Sequence, residues 1–270
     1  LLAEGRYAEG LTLYEARSEI AGAPSPRPAL PFAEWRGGPV AGKRLLVWPE
    51  QGFGDKIGWS RFIPALQAAG AHVSVLAEPG LVRLFQQNFT APIISASGAV
   101  ELPDVDGWVF YGSLPLRLGV RLETLSGRPY LSAPPRRIPG VSIGVVTRGD
   151  PRHRNDANRS LPDWAADALL GLPGAARLHP GDLGVRDFWD TAQVIAGLDL
   201  VITVDTAVAH LAGALGRPVW VLIPAQGTDW RWMRDRTDSP WYASARLFRQ
   251  PAPGDWESVL TQVRAALDGH

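Results

Sequence analysis

Cysteine is absent from the 270 residues, which excludes disulfides, thiolate metal sites and a cysteine nucleophile. Methionine occurs once, at Met233, and the chain starts at Leu1, so it reads as a fragment of a longer protein. Apolar runs do not exceed strand length, which excludes a transmembrane helix. Leu1 to Glu19 mixes charges throughout and does not look like a secretory leader. Together these absences lead us to expect a cytoplasmic protein, the cytoplasmic membrane face included. An excess of either charge is also missing, since Lys+Arg and Asp+Glu are both 27. Nothing global therefore attracts nucleic acid or an anionic membrane, and no nucleic-acid partner is expected. Affinity for a charged ligand has to be local.

What is present is 46% hydrophobic residues, enough for one large or two ordinary domains. The pattern predicts five segments. Residues 1–22 read as a helix or helical pair broken near Gly5, and 23–40 as a proline-rich linker or wrapping segment; four prolines fall within AGAPSPRPALP, Ala21 to Pro31. Residues 41–135 carry a first strand–helix series: strands at Leu45–Trp48, Val73–Ala77, Pro92–Ser95 and Trp108–Tyr111, helices at Ile57–Ala69 and Pro79–Gln87, and a helical turn at Leu114–Leu118. Prolines and arginines cluster at Arg128 to Pro139, the expected interior boundary. Residues 136–255 carry a second series: strands at Ser142–Val146, Arg177–Leu178, Leu200–Val204, Val219–Ile223 and an edge strand at Arg246–Arg249, with helices at Pro162–Leu170 (Ser160 as cap), Phe188–Ala196 and Ala207–Leu215. Residues 256–270 form a terminal amphipathic helix expected to pack back across the domains. The expected class is α/β, two Rossmann-like domains with parallel sheets facing a cleft.

Three constellations carry chemistry. In DLVITVDTAVAHLAGALGRPVWVLIP, Asp199 to Pro224, a buried strand stops at Asp205-Thr206 and a helix begins at Ala207. Ligands of open α/β sheets bind at that carboxyl edge, and the first amides of such a helix attract phosphate. Asp205 reads equally well as a helix cap. His210, one turn after Thr206, either reaches the anion or is a satisfied core histidine. In Glu50-Gln51-Gly52-Phe53-Gly54-Asp55, between a strand and a helix, Gly52 and Gly54 permit a sharp turn and close approach of a ligand. There Asp55 is either a cap or a general base. In RGDPRHRNDANRS, Arg148, Arg152, Arg154 and Arg159 share one loop after a strand; this is either a solvated loop or a phosphate-binding one. A diphosphate held between Arg159 and the helix end at Thr206 needs no metal, and no metal site is expected. Trp230 and Trp232 beside Arg231 could line a sugar or base, although most of the 11 tryptophans should be core.

Together, EQGFGDKIGWSRFIPAL, NRSLPDW, DLVITVDTAVAHLAGALGRPVWVLIP, DWRW and DSPWY resemble the bacterial heptosyltransferase-like glycosyltransferase family 9, and more closely its members fused behind tetratricopeptide repeats. LLAEGRYAEGLTLYEARSE resembles the end of such a repeat, and repeats missing before it would offer a protein partner a surface. The resemblance implies a GT-B fold, a nucleotide-sugar donor held mainly by the second domain, and metal-independent inversion at the anomeric carbon without a cofactor. It places Asp55 on the family's base, Arg159 near a basic residue that meets the donor phosphates, Asp205, Thr206 and Ala207 on the phosphate and sugar turn, and His210 on the histidine of that helix. Gly52, Gly54, Lys56, Arg148, Arg154 and Trp230 are further candidate contacts to donor or acceptor. The chain departs from the pattern at Lys56, which could pair with Asp55 or meet an acidic acceptor, and at Thr147-Arg148-Gly149-Asp150. No acidic residue for a ribose is evident in HPGDLGVRD.

The reaction expected is attack of an acceptor hydroxyl on a nucleotide-diphosphate sugar, with Asp55 taking the proton and Arg159 and the Thr206 helix end neutralising the departing diphosphate. The acceptor is open: protein, lipid or glycan. Two other classes stand beside it, a non-catalytic nucleotide-sugar binder or repeat-tethered interaction module, and a nucleotide-sugar epimerase.

Overall fold

The apolar runs after Lys43 become parallel strands, buried at their centres in the middle of each sheet and only partly buried in the short strands Ile93–Ser95 and Ala175–Arg177 at its edge. A computed structural model describes residues 1–20, 25–179 and 181–269. Contacts divide it into two units, Leu1–Leu125 with Asp187–Trp189, and Ser126–Arg186 with the chain from Asp190 onward.

In the first unit, helix α1 (Tyr7–Tyr14) is flanked by 3-10 turns at Leu2–Glu4 and Glu15–Ser18 and buries Tyr7 and Leu11. Strands β1 (Arg44–Trp48), β2 (His72–Ala77), β3 (Ile93–Ser95) and β4 (Gly107–Phe110) form an all-parallel sheet of order β3-β2-β1-β4. Leu45 of β1 registers with Val73 on one side and Gly107 on the other. Helices α2 (Phe53–Ser60), α3 (Ile63–Ala68), α4 (Pro79–Asn88) and α5 (Leu114–Arg117) complete the unit. The single helix expected over Ile57–Ala69 is two, because Pro64 in the first turn of α3 has no N–H to bond back to Ser60. The proline-rich segment wraps rather than links: Trp108 N–H donates to Ala33 O at 3.0 Å and Trp35 N–H to Trp108 O at 2.7 Å, so 33–35 pairs beside β4. Its Leu30 and Phe32 pack against Leu46, Trp108 and Phe110. The part of that expected segment at 21–24 lies outside the described residues.

The second unit holds β5 (Ile143–Val146), β6 (Ala175–Arg177), β7 (Leu200–Val204), β8 (Val219–Ile223) and β9 (Ala245–Arg249), all parallel, in the order β6-β5-β7-β8-β9. Around them run α6 (Asp156–Arg159), α7 (Asp163–Leu170), α8 (Phe188–Gly197), α9 (Ala207–Ala214) and α10 (Trp256–Asp268). Strands β7 and β8 are buried throughout, as a central parallel strand covered on both faces must be.

Two expectations change, and the place of the last helix is defined. The boundary lies after Leu125, not 135, because Tyr130 and Leu131 both donate backbone N–H to Ala214 O (3.0 and 3.1 Å) and so join the second unit. The face of α10 bearing Trp256, Val259, Leu260 and Val263 fills the second unit's core with Val145, Leu161, Trp220 and Phe248. Ser160 does not cap α7: its hydroxyl donates to Asp156 Oδ2 at 3.1 Å and accepts from Gly149 N–H at 3.0 Å, inside the preceding loop.

Candidate active site

In each sheet the strand order reverses direction at one place, and parallel α/β sheets leave a crevice at the carboxyl ends of the two strands that flank it. In the first unit those strands are β1 and β4, and the turn after β1 carries Gly52, Gly54 and Asp55. In the second they are β5 and β7, followed by the arginine loop and by Asp205-Thr206.

In the second unit, Arg159 ends the short helix α6. Its Nη1 donates to Asp205 O at 2.8 Å and its Nε to Asp156 Oδ1 at 3.1 Å. Those bonds occupy two of the five N–H donors a guanidinium carries. Gly149 leaves room for this pair: a Cβ there would stand 2.3 Å from both Arg159 Nη2 and Asp156 Oδ1, so their side chains would have to shift. The N-cap of α9 is Thr206, whose hydroxyl accepts from Val208 N–H at 3.3 Å; Asp205 therefore is not the cap. Thr206, Ala207 and Val208 are half-buried and stand at the positive end of the helix. The structure thus brings Arg159, Asp205, Thr206 and Ala207 together.

Asp205 is buried, and burial together with the neighbouring Asp229 carboxylate pushes its pKa up to about 7, against the pull of Arg159 and Arg231. Asp229 moves the other way: burial is the largest single influence and acts to raise it, yet the Arg231 guanidinium, His210 and the Arg231 N–H together hold it low. Arg231 is wholly buried, with Nη1 2.5 Å from Asp229 Oδ2 and its backbone N–H donating to Asp229 Oδ1 at 2.8 Å. This carboxyl pair with its arginine was not anticipated; the only sequence signal is the spacing Asp229-x-Arg231.

His210 is a core residue as well as a site neighbour. Its Nδ1 lies 2.9 Å from Tyr242 Oη, and its ring stacks on Trp232 at 5.1 Å between centroids. Trp232 is fully buried against His210 and beside the Asp205 carboxyl, whereas Trp230 is half-buried and sits edge-on to Trp241. Arg148 is exposed and pairs with Asp163, and Arg152 pairs with Asp150 at 2.7 Å. Arg154 is exposed on the same loop. Asn155 ties that loop to the next by donating from Nδ2 to Gln226 O and Gly227 O, both at 3.0 Å.

In the first unit, Asp55 stands in the first turn of α2, half-buried, and its Oδ2 accepts from Gly52 N–H at 3.0 Å. It therefore closes the turn whatever else it does. Lys56 does not pair with Asp55. It is buried, its Nζ pairs with Glu78 and donates to Gln51 O at 2.9 Å, and it lies over the Phe53 ring. The i+1 spacing turns Lys56 away from Asp55 on the helix, so the pair the sequence offered is sterically disfavoured. Gly54 is half-buried at the helix start. Among the described residues, no group of three or more His, Asp or Glu is placed to hold a metal ion.

The family model of glycosyltransferase family 9 (heptosyltransferase) matches residues 183–223, which include β7, Asp205, Thr206, α9 and β8. Protein FlbA of Caulobacter vibrioides is 28% identical over 321 aligned positions, covering 99% of this chain and 53% of FlbA. The chain thus spans about half the length of that curated relative. Among solved structures, a glycosyl transferase of family 9 from Veillonella parvula aligns at TM-score 0.55 and 12% identity over 85% of this chain and 91% of its own. The Escherichia coli heptosyltransferase WaaC with ADP-2-deoxy-2-fluoro heptose aligns at 0.56 and 12% over 84% and 100%. The iron-containing dodecameric glycosyltransferase TibC of enterotoxigenic E. coli aligns at 0.54 and 12% over 84% and 78%. At such identity these likenesses concern the fold. The chain has the α/β fold of these glycosyltransferases, and its sequence similarity to family 9 falls on the strand, turn and helix that hold Asp205 and Thr206.

Proposed function

We propose that the protein is a glycosyltransferase that moves a sugar from a nucleotide-diphosphate sugar to an acceptor hydroxyl with inversion and without a metal ion or other cofactor. The observation that carries this reading is the bond from Arg159 Nη1 to Asp205 O, which sets a guanidinium against the amino end of α9. An anion there meets a rigid fork of donors and the helix dipole together. That is the environment a departing nucleoside diphosphate needs, because its negative charge grows as the glycosidic bond breaks. The Asp205 carboxyl, raised to about 7, keeps a share of its proton near neutrality, so it donates a hydrogen bond to a phosphate or sugar oxygen rather than repelling it. Trp230 and Arg154 flank the donor; His210 supports the turn from beneath through Tyr242 and Trp232.

In the first unit Asp55 takes the proton of the acceptor hydroxyl as it attacks the anomeric carbon from the face opposite the leaving diphosphate. Gly52 and Gly54 let the acceptor approach the turn closely. The acceptor is a protein, lipid or glycan, selected by protein partners or segments beyond this chain. A cytoplasmic location, the membrane face included, agrees with a donor of this kind; no helix among the described residues is long and apolar enough to cross a membrane.

TibC has been seen with ADP-D-β-D-heptose, so that donor heads the panel of nucleotide-diphosphate sugars to be titrated by calorimetry. Arg159→Ala is expected to weaken binding of whichever donor the wild type accepts by about tenfold or more, the scale of one charge-assisted hydrogen bond. Equal dissociation constants for the two proteins would remove Arg159 from the diphosphate site. A protein that binds donor but never releases nucleoside diphosphate is the non-catalytic binder, and one that alters the sugar without acceptor is the epimerase.

A further inference from the structure

The turn between β1 and α2 is held from the chain's first 25 residues. Arg17 grips Glu50 with two prongs, Nε to Oε2 at 2.8 Å and Nη2 to Oε1 at 2.7 Å. The Glu50 side chain is wholly buried and accepts a further bond from Gly112 N–H at 2.6 Å, while Arg17 is 10% exposed. Arg17 is itself fixed, donating to Tyr14 O and to Glu15 Oε1, both at 3.0 Å, and to Ser113 Oγ at 3.1 Å. One residue on, Gln51 has its side-chain amide against Tyr14 Oη (Nε2 at 2.8 Å) and its backbone N–H donating to Ser25 Oγ at 2.9 Å. Gln51 adopts φ 57°, the left-handed region that a side chain with a Cβ enters only under restraint. The next residue is Gly52, whose N–H is the one bonded to the Asp55 carboxylate.

A buried ion pair is a poor source of stability, because both ions lose their hydration, but it fixes geometry well. A turn that enters its helix through Gly52, with Gly54 in the helix's first turn, has little preference of its own and needs such fixing. We infer that Arg17, assisted by Tyr14, is a positioning residue for Asp55: the N-terminal segment sets the backbone of the β1–α2 turn, and through Gln51 and Gly52 it sets the direction of the Asp55 carboxylate. The catalytic half of this inference rests on Asp55 serving as the base proposed above; the structural half does not.

The test uses the full chain as Arg17→Met, Arg17→Lys and Tyr14→Phe, the last removing only one half-buried hydroxyl. Amide hydrogen exchange is read at Gln51 and Gly52 against the amides of β2 and β4. Exchange at 51–52 should quicken about tenfold or more in Arg17→Met and Tyr14→Phe while the two strands keep their protection. With a donor in hand, Arg17→Met should lower kcat about 10- to 100-fold, the cost of misplacing a reacting group, with donor KM within about twofold. Arg17→Lys should recover part of that loss. Introduced on top of Asp55→Asn, Arg17→Met should add nothing, since the group it positions is already gone. Unchanged exchange at 51–52 in the folded variants, or a full further loss on top of Asp55→Asn, overturns the inference. If Asp55→Asn alone leaves turnover intact, the assignment of the base falls instead, and the exchange result still judges the latch.

Discussion

Two carboxyls of opposite temper meet at Asp205 and Asp229, and their difference has a measurable consequence. Burial and the Asp229 charge raise Asp205 from 3.8 to about 7. The folded protein therefore holds the Asp205 proton more tightly than the unfolded chain does. The stability this contributes is complete below about pH 3.8 and is lost as pH rises through about 7. Asp229, held low by Arg231 and His210 against burial, acts with the opposite sign and only as pH falls through and below the ordinary aspartate range, so the two windows do not overlap. Asp205→Asn has no proton to lose. Its melting temperature should fall less between pH 5 and pH 8 than that of the wild type, as measured by calorimetry in matched buffers. A variant whose pH slope matches the wild type would show that Asp205 does not titrate there. At this scale the sequence was only partly legible. It offered Asp205 and Asp55 each as cap or site residue; in the structure Thr206 caps α9, while Asp55 does close its turn. It could not reveal Glu78 as the partner of Lys56 or Arg17 as the partner of Glu50, because 22 and 33 residues separate them and nothing local marks either pair.

Strands and helices were far more readable than side-chain partners, because burial on both faces writes a nearly continuous apolar run into β7 and β8, bounded by Asp199 and Asp205 in the first and by Pro218 and Pro224 in the second. Where the elements differ from expectation a specific residue is responsible, Pro64 between α2 and α3 being the plainest case. Helix α9 shows how an element is tuned to its surroundings. Gly213 lies on its inner face, and a Cβ there would stand 2.3 Å from Tyr242 Cγ, the ring that bonds His210. Alanine favours helix over glycine by up to about 1 kcal/mol, but overpacking a core costs about 1–3 kcal/mol. Gly213→Ala should therefore destabilise the protein in urea titrations, with the midpoint shifted down at unchanged slope. A gain in stability would mean that Tyr242 yields freely and that the His210 contact is not tightly set.

The chain folds into two parallel α/β units of unequal sheets, each with one place where its strand order reverses. The two-unit plan was visible in the sequence as a twice-repeated strand–helix series. The unit boundary was displaced because the proline- and arginine-rich stretch after Leu125 looks like a linker but bonds to Ala214. The central claim is narrower: donor binding resides in the second unit and proton removal in Asp55. It is tested by measuring, on one preparation, the dissociation constant of an accepted nucleotide-diphosphate sugar and the rate of nucleoside diphosphate release with acceptor, for wild type and Asp55→Asn. The account predicts equal donor binding and turnover reduced at least about 100-fold, the scale of losing a general base; equal turnover in the two proteins would contradict it.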